Sequence, residues 1–216
     1  HGPMLVIRRH ATRRFRLSEY VGNGSFNMIP KSATELATED EAAHYEARAC
    51  AGGAHLAEFF SWAVKARQTI LVGGGPSSGK TTFVSSLLLE IPNDQRVITC
   101  EDTHEIVLEQ PNVVQLEAVS AASAETEITI RTLVRLCLRL RPDRIVIGEL
   151  RGPEAYDFLD AMNTGHSGSL CTLHADSSLQ GLHRLESLIR MSPTARNLPL
   201  PDMRASIASA IDYVVY

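Results

Sequence analysis

Between residues 69 and 191, short runs of apolar and largely β-branched residues alternate with stretches whose apolar positions recur at helical spacing. Thr69-Ile-Leu-Val-Gly73, Arg96-Val-Ile-Thr-Cys100, Asn112-Val-Val-Gln-Leu116 and residues 169–173 are predicted strands. Arg144-Ile-Val-Ile-Gly148 reads as a fully apolar strand, of the kind buried between helices on both faces. Helices are predicted over 80–90, 126–140, 153–163 and 178–191, with Pro92-Asn93-Asp94 closing the first and Pro142 the second. Such alternation predicts a three-layer α/β domain on a mainly parallel sheet. Upstream, residues 54–67 carry Leu56, Phe59, Phe60 and Val64 at helical spacing, Val21–Ser25 is turn-rich, and residues 4–9 form a short strand-like run. The closing run Ile211–Tyr216 is strand-like and is expected to continue into further chain. His1-Gly2-Pro3 before Met4 resembles the remnant of a cleaved purification tag, so the natural protein is expected to begin upstream.

Composition narrows the class. The chain has 216 residues, 44% of them hydrophobic and 21% charged, which suits one good-sized globular domain and excludes wholesale disorder. No apolar run approaches the ~20 residues that a membrane-spanning helix needs. A net charge of −4 argues against a dedicated nucleic-acid binder, and no sequence-specific nucleic acid is expected as a partner. The four cysteines, Cys50, Cys100, Cys137 and Cys171, form no CxxC pair, which points to a reducing compartment rather than a zinc site or a disulfide framework. Charge is uneven near the start. Arg8, Arg9, Arg13, Arg14 and Arg16 fall within nine residues, and five acids then lie between Thr34 and Ala47 without a Lys or Arg. The acidic block is expected to be a solvated helix or linker.

The strongest chemical signal is Gly74-Gly75-Pro76-Ser77-Ser78-Gly79-Lys80-Thr81, a complete G-x-x-x-x-G-K-[ST] pattern between a predicted strand and a predicted helix. Glycines let backbone N–H groups wrap a phosphate, and the helix N-terminus adds partial positive charge. Lys80 can reach β- and γ-phosphates, Thr81 can ligate Mg²⁺, and Thr82 is a further phosphate contact. A ligand-free glycine-rich turn is the plain alternative. Glu149, at the end of the 144–148 strand, is the candidate second magnesium group, since ligands collect at the C-terminal edge of parallel strands. Glu101, Asp102 and Glu105 follow the second strand and are candidates to orient or deprotonate an attacking water; spacing does not choose among them. His166 and His174 bracket a short strand. Either can sense a γ-phosphate, although a satisfied structural histidine is the commoner role. Arg131, Arg135 and Arg139 line one helical stripe, as a solvated face or one that meets an acidic neighbouring subunit or a nucleotide.

Four blocks occur in order: the phosphate loop, Ile98-Thr-Cys-Glu-Asp-Thr-His-Glu105, Arg141-Pro-Asp-Arg-Ile-Val-Ile-Gly-Glu-Leu-Arg-Gly152, and Thr164-Gly-His166 with Thr172-Leu-His174. Together they resemble the VirB11-type secretion ATPases, within the wider group of type II and type IV secretion and pilus motors. The resemblance covers roughly residues 54–216 and implies a RecA-like P-loop NTPase domain. It implies ATP and Mg²⁺ as cofactors and a homo-oligomer, a hexameric ring, working with inner-membrane secretion components. Its expected location is cytoplasmic, peripheral at the inner membrane. By the same resemblance, Gly74, Pro76, Ser77, Ser78, Gly79, Lys80, Thr81 and Thr82 bind the nucleotide, and Thr81 and Glu149 serve the metal. Glu105 matches the water-activating glutamate, with Glu101 and Asp102 in support, and His174 lies in the family's histidine box. Arg8 resembles the arginine that a preceding N-terminal domain offers to the nucleotide.

The implied division is 1–3 as tag remnant, 4–20 as the last strand and basic run of an N-terminal domain, 21–53 as linker and helix, and 54–216 as the ATPase domain. The function expected is a Mg²⁺-dependent ATPase powering export through, or assembly of, a type IV secretion or conjugation machine. An ATP-binding scaffold with little hydrolysis, or a pilus or type II secretion motor, are the alternatives within the group. A RecA-like DNA translocase ranks last, because the chain is acidic and only 6% aromatic.

Overall fold

The computed structural model describes residues 15–27, 41–120 and 127–216. The expected strand at 4–9, Arg8 and most of the basic run lie outside the described residues. The elements are α1 (Leu17–Gly22), α2 (Glu41–Ala49), α3 (Gly53–Lys65), β1 (Ile70–Gly74), α4 (Lys80–Leu88), β2 (Val97–Glu101), β3 (Val113–Glu117), α5 (Ile130–Cys137), β4 (Arg144–Ile147), α6 (Glu154–Asn163), β5 (Leu170–His174), α7 (Ser178–Met191), α8 (Leu200–Ala210) and β6 (Tyr213–Val215).

The strands form one sheet in the order β3-β2-β4-β5-β1-β6, and every pairing is parallel. Parallel neighbours require crossovers, and the helices that make them cover both faces. Alternate strand residues therefore feed two separate cores. Leu71, Ile98, Cys100, Ile145, Ile147, Cys171 and Leu173 point toward α5, α6, α7 and α8. Ile70, Val72, Val97, Val146 and Leu170 point the other way, toward Phe59, Phe60 and Val64 of α3 and Val84, Leu87 and Leu88 of α4. Leu17 and Phe26 join that second core, where Phe26 stacks on Tyr20 at 5.4 Å and meets Phe83 edge-on at 6.4 Å.

The run 144–148 is buried as expected, but it opens on a charge. Arg144 is fully buried and makes three good hydrogen bonds, donating to Gln95 Oε1 (2.7 Å), Gly168 O (2.7 Å) and Val64 O (2.8 Å). Burial, and secondarily the charge of Arg67, lower its pKa to about 10, while Asp143 pulls the other way. Arg144 ties the N-terminal ends of β4 and β5 to α3. Asp143 Oδ2 accepts from Arg96 N at 2.7 Å, completing a polar staple at the edge opposite the phosphate loop.

Two elements differ from the sequence pattern. The predicted helix 126–140 is α5 plus a 3₁₀ turn at Leu138–Leu140; residue 126 lies outside the described residues. Ile128 instead pairs with Val119 in an antiparallel bridge, and Thr129 caps α5 by accepting from Thr132 N at 3.2 Å. Helix α8 is not among the predicted elements; Pro199 and Pro201 flank its first residue, and proline is tolerated in a first helical turn.

Candidate active site

Because the sheet is wholly parallel, the ends of β2, β4, β5 and β1 are neighbours along one edge. The loop after β1 turns directly into α4. Ser77 (φ 57°) and Gly79 (φ 90°) are left-handed there, and a Cβ on Gly74 would come within 2.5 Å of Ser78 Oγ. No side chain caps the first turn of α4, and a Cβ on Gly75 would meet only open space. A helix N-terminus presented this way behind a glycine loop suits a phosphate. A cleft of about 340 Å³ opens beside Gly75, Pro76 and His174 and runs to Gln180 and Arg184 on α7.

The predicted residues converge. Lys80 Nζ donates to the carbonyls of Gly74 (2.9 Å) and Gly75 (2.8 Å) and lies 3.3 Å from His174 Nδ1. The other ring nitrogen of His174, Nε2, lies 3.3 Å from Glu149 Oε1. Arg151 grips Glu149 with both arms of its fork, Nε to Oε1 at 2.7 Å and Nη2 to Oε2 at 3.0 Å, and its Nη1 reaches Asp102 Oδ2 at 3.0 Å. A continuous polar chain therefore runs across the sheet edge: Asp102, Arg151, Glu149, His174, Lys80. Burial pushes the Glu149 carboxyl up, but the Arg151 hydrogen bonds and the charges of Arg151, His174 and Lys80 outweigh it and hold the pKa below its ordinary value. Arg151 is correspondingly raised, chiefly by its hydrogen bonds to Glu149, against a smaller opposing effect of burial.

Glu105 approaches from β2. Thr81 Oγ1 donates to Glu105 Oε2 at 3.3 Å, which brings the candidate base onto the phosphate loop. Glu101 has a different position from its neighbours. It is 2% exposed, and its Oε1 accepts from the backbone N–H groups of Glu105 (3.0 Å) and Ile106 (2.9 Å). It thus holds the loop that carries Glu105. His166 does not join the cluster; its ring Nδ1 lies 3.2 Å from Ala161 O, at the end of α6. Two arginines of the stripe are answered inside the chain, since Arg131 Nε and Arg135 Nε each donate to Asp157 of α6 at 2.7 Å, while Arg139 is exposed on the 3₁₀ turn that follows α5.

Two residues at the site carry no role in the sequence pattern. Arg151 is the first. Glu154 is the second: buried at the start of α6, it accepts from Arg151 N (2.7 Å) and Gly152 N (2.6 Å) through Oε1. An acid in the first turn of a helix directly after Gly-Pro was the available signal. Among the described residues no cluster of three or more His, Cys, Asp or Glu forms a protein cage for a metal. Thr81 and Glu149 fit Mg²⁺ in the other manner, in which a hydroxyl and one carboxylate share the ion with phosphate and water.

Residues 44–215 match the family described as type II/IV secretion system protein. The chain is 36% identical to the type IV secretion system protein VirB11 of Brucella suis biovar 1 (strain 1330), over 100% of this chain and 60% of that protein. It is 42% identical to the type IV secretion system protein PtlH of Bordetella pertussis (strain Tohama I) over 165 residues, 73% of this chain and 47% of PtlH. The crystal structure of the VirB11 ATPase from the Brucella suis type IV secretion system, in complex with sulphate, matches with a TM-score of 0.71 at 34% identity, covering 96% of this chain and 60% of that one. The Legionella pneumophila ATPase DotB matches with a TM-score of 0.54 at 25% identity, covering 69% and 40%. The chain thus spans about 60% of the length of the VirB11 protein it resembles.

Proposed function

The chain belongs to the type II/IV secretion system protein family, and from that premise we propose that it is the motor portion of a VirB11-type ATPase that hydrolyses ATP with Mg²⁺ to drive a type IV secretion or conjugation machine. One observation carries the reading. Lys80 and Thr81 after β1, Glu105 after β2, Glu149 after β4 and His174 at the end of β5 meet on one sheet edge, with Thr81 Oγ1 3.3 Å from Glu105 Oε2 and Lys80 Nζ 3.3 Å from His174 Nδ1.

In this reading the α4 N-terminus and the loop Gly74–Gly79 hold the triphosphate, with Thr82 as a further contact. Lys80 exchanges its bonds to the Gly74 and Gly75 carbonyls for phosphate oxygens, so its charge stands where charge develops during transfer. Thr81 and Glu149 would hold Mg²⁺, which would supply neutralisation of phosphate charge. Glu105 orients the attacking water and takes its proton, on a loop kept in place by Glu101. His174 links the Lys80 and Glu149 positions. Arg8 would reach the nucleotide from the preceding domain. A hexameric ring, inner-membrane secretion components as partners, and a peripheral site on the cytoplasmic face of the inner membrane complete the proposal.

The test is Mg²⁺-dependent phosphate release from ATP by the protein beside Lys80→Ala. Turnover that falls to background in the variant supports the reading; equal turnover in both proteins refutes it.

A further inference from the structure

We propose that Arg151 is the positioning residue of this site: its guanidinium fixes the carboxylate of Glu149 and joins it to Asp102, so that the acids at the ends of β2 and β4 act as one unit. The inference rests on the ATPase reading and extends it to a residue outside the phosphate loop and the water-activating acids.

Three observations carry it. The fork engages both Glu149 oxygens, at 2.7 and 3.0 Å, which sets the rotation of the carboxylate as well as its place. The third nitrogen bonds Asp102 at 3.0 Å, so one planar group bridges two loops that leave adjacent strands. The backbone beneath the guanidinium is itself pinned. Glu154, 6% exposed, accepts from the N–H groups of both Arg151 and Gly152, and a Cβ on Gly152 would come within 2.9 Å of Glu154 Oε2. The strand below is held as firmly, with Thr172 Oγ1 donating to Gly148 O at 2.6 Å and Gly148 packed so that a Cβ would meet Glu101 Cγ at 3.1 Å.

Stability alone does not account for this construction. The Arg151 side chain is 60% exposed, so solvent screens the pair and its contribution to folding is modest. Its value here is geometric. Glu149 Oε1 lies 3.3 Å from His174 Nε2, and a carboxylate turned away from that direction would leave the chain that leads to Lys80. A misplacement of about 1 Å at a reacting centre is costly in rate while leaving ground-state binding largely intact. Arg151 touches no substrate in this account and acts through Glu149.

The experiment compares wild type, Arg151→Gln, Arg151→Lys, Asp102→Asn and the Arg151→Gln/Asp102→Asn double variant by steady-state ATP hydrolysis, with nucleotide affinity and thermal midpoint on the same samples. Arg151→Gln is expected to lower kcat at least tenfold while KM and nucleotide affinity stay within about threefold and the midpoint stays within a few degrees. Lysine carries the charge without the fork, so Arg151→Lys is expected to remain at least fivefold down. The double variant is expected to lose no more than Arg151→Gln alone, because the two residues form one unit. Turnover within twofold of wild type for Arg151→Gln, full rescue by lysine, or multiplying losses in the double variant would each overturn the inference alone. Absence of turnover in the wild type would overturn the ATPase reading, and this inference with it.

Discussion

Glu101→Gln and Glu101→Ala separate a holding role for this acid from a chemical one. Glu101 is 2% exposed, so water cannot replace what it provides to the N–H groups of Glu105 and Ile106. Glutamine can keep one oxygen on both N–H groups and turn its NH₂ toward Thr99 Oγ1 and His104 Nδ1, which lie 3.3 and 3.5 Å from Oε2. The change then converts two charge-assisted bonds into neutral ones, a loss of about 1 kcal/mol each, or roughly 2 kcal/mol in all. Alanine removes the acceptor altogether and leaves two N–H groups stranded, at about 1–3 kcal/mol each plus a cavity. For a domain of this size, 2 kcal/mol corresponds to roughly 4–8 °C in thermal midpoint. Thermal unfolding and ATP turnover should rank the proteins wild type, Glu101→Gln, Glu101→Ala on both scales. Turnover in Glu101→Ala should fall further than ATP binding, since it is the Glu105 loop that loses its anchor. An alanine variant as stable and as active as wild type would refute the reasoning.

Two further outcomes follow from the same geometry. Gly168→Ala should cost about 2–5 kcal/mol in urea unfolding while sparing nucleotide affinity: φ is +83° there, a Cβ would run into Arg144 Nη1 and come within 2.7 Å of Arg67 Cα, and the position lies at the edge opposite the site. Glu149 is held below its ordinary pKa of 4.5, so its folded form favours ionisation and its stabilising contribution is full above that pH and lost as pH falls through the folded value. The unfolding gap between wild type and Glu149→Gln should therefore narrow as pH drops below about 4.5, and a gap that stays constant or widens would contradict the sign.

Much of the architecture was written in short-range pattern. The strands announced themselves because inner strands of a parallel sheet are covered on both faces and so read as largely apolar runs. The phosphate loop did so because its glycines answer local backbone demands, seen at Gly74 and Gly79. Features set by distant partners were hidden. Arg144 looked like the edge of an apolar strand, yet its carbonyl partners lie 24 and 80 residues away at Gly168 and Val64. Arg131 and Arg135 of α5 find their answer in Asp157, 26 and 22 residues on, which no spacing rule indicates. Among the three acids at the end of β2, spacing alone chose none; the family resemblance pointed to Glu105, and burial with the Glu105 and Ile106 N–H bonds marks Glu101 as the one that holds the loop. Arg151 was visible as a letter in a block, but its fork to Glu149 depends on the turn that Glu154 fixes.

The most direct test of the account is Mg²⁺-dependent phosphate release by Glu105→Gln, with ATP affinity measured on the same sample. If Glu105 handles the attacking water beside Thr81, affinity stays within about threefold of wild type while turnover falls by about 10²-fold or more. Turnover at the wild-type rate would contradict the assignment and the site built around it.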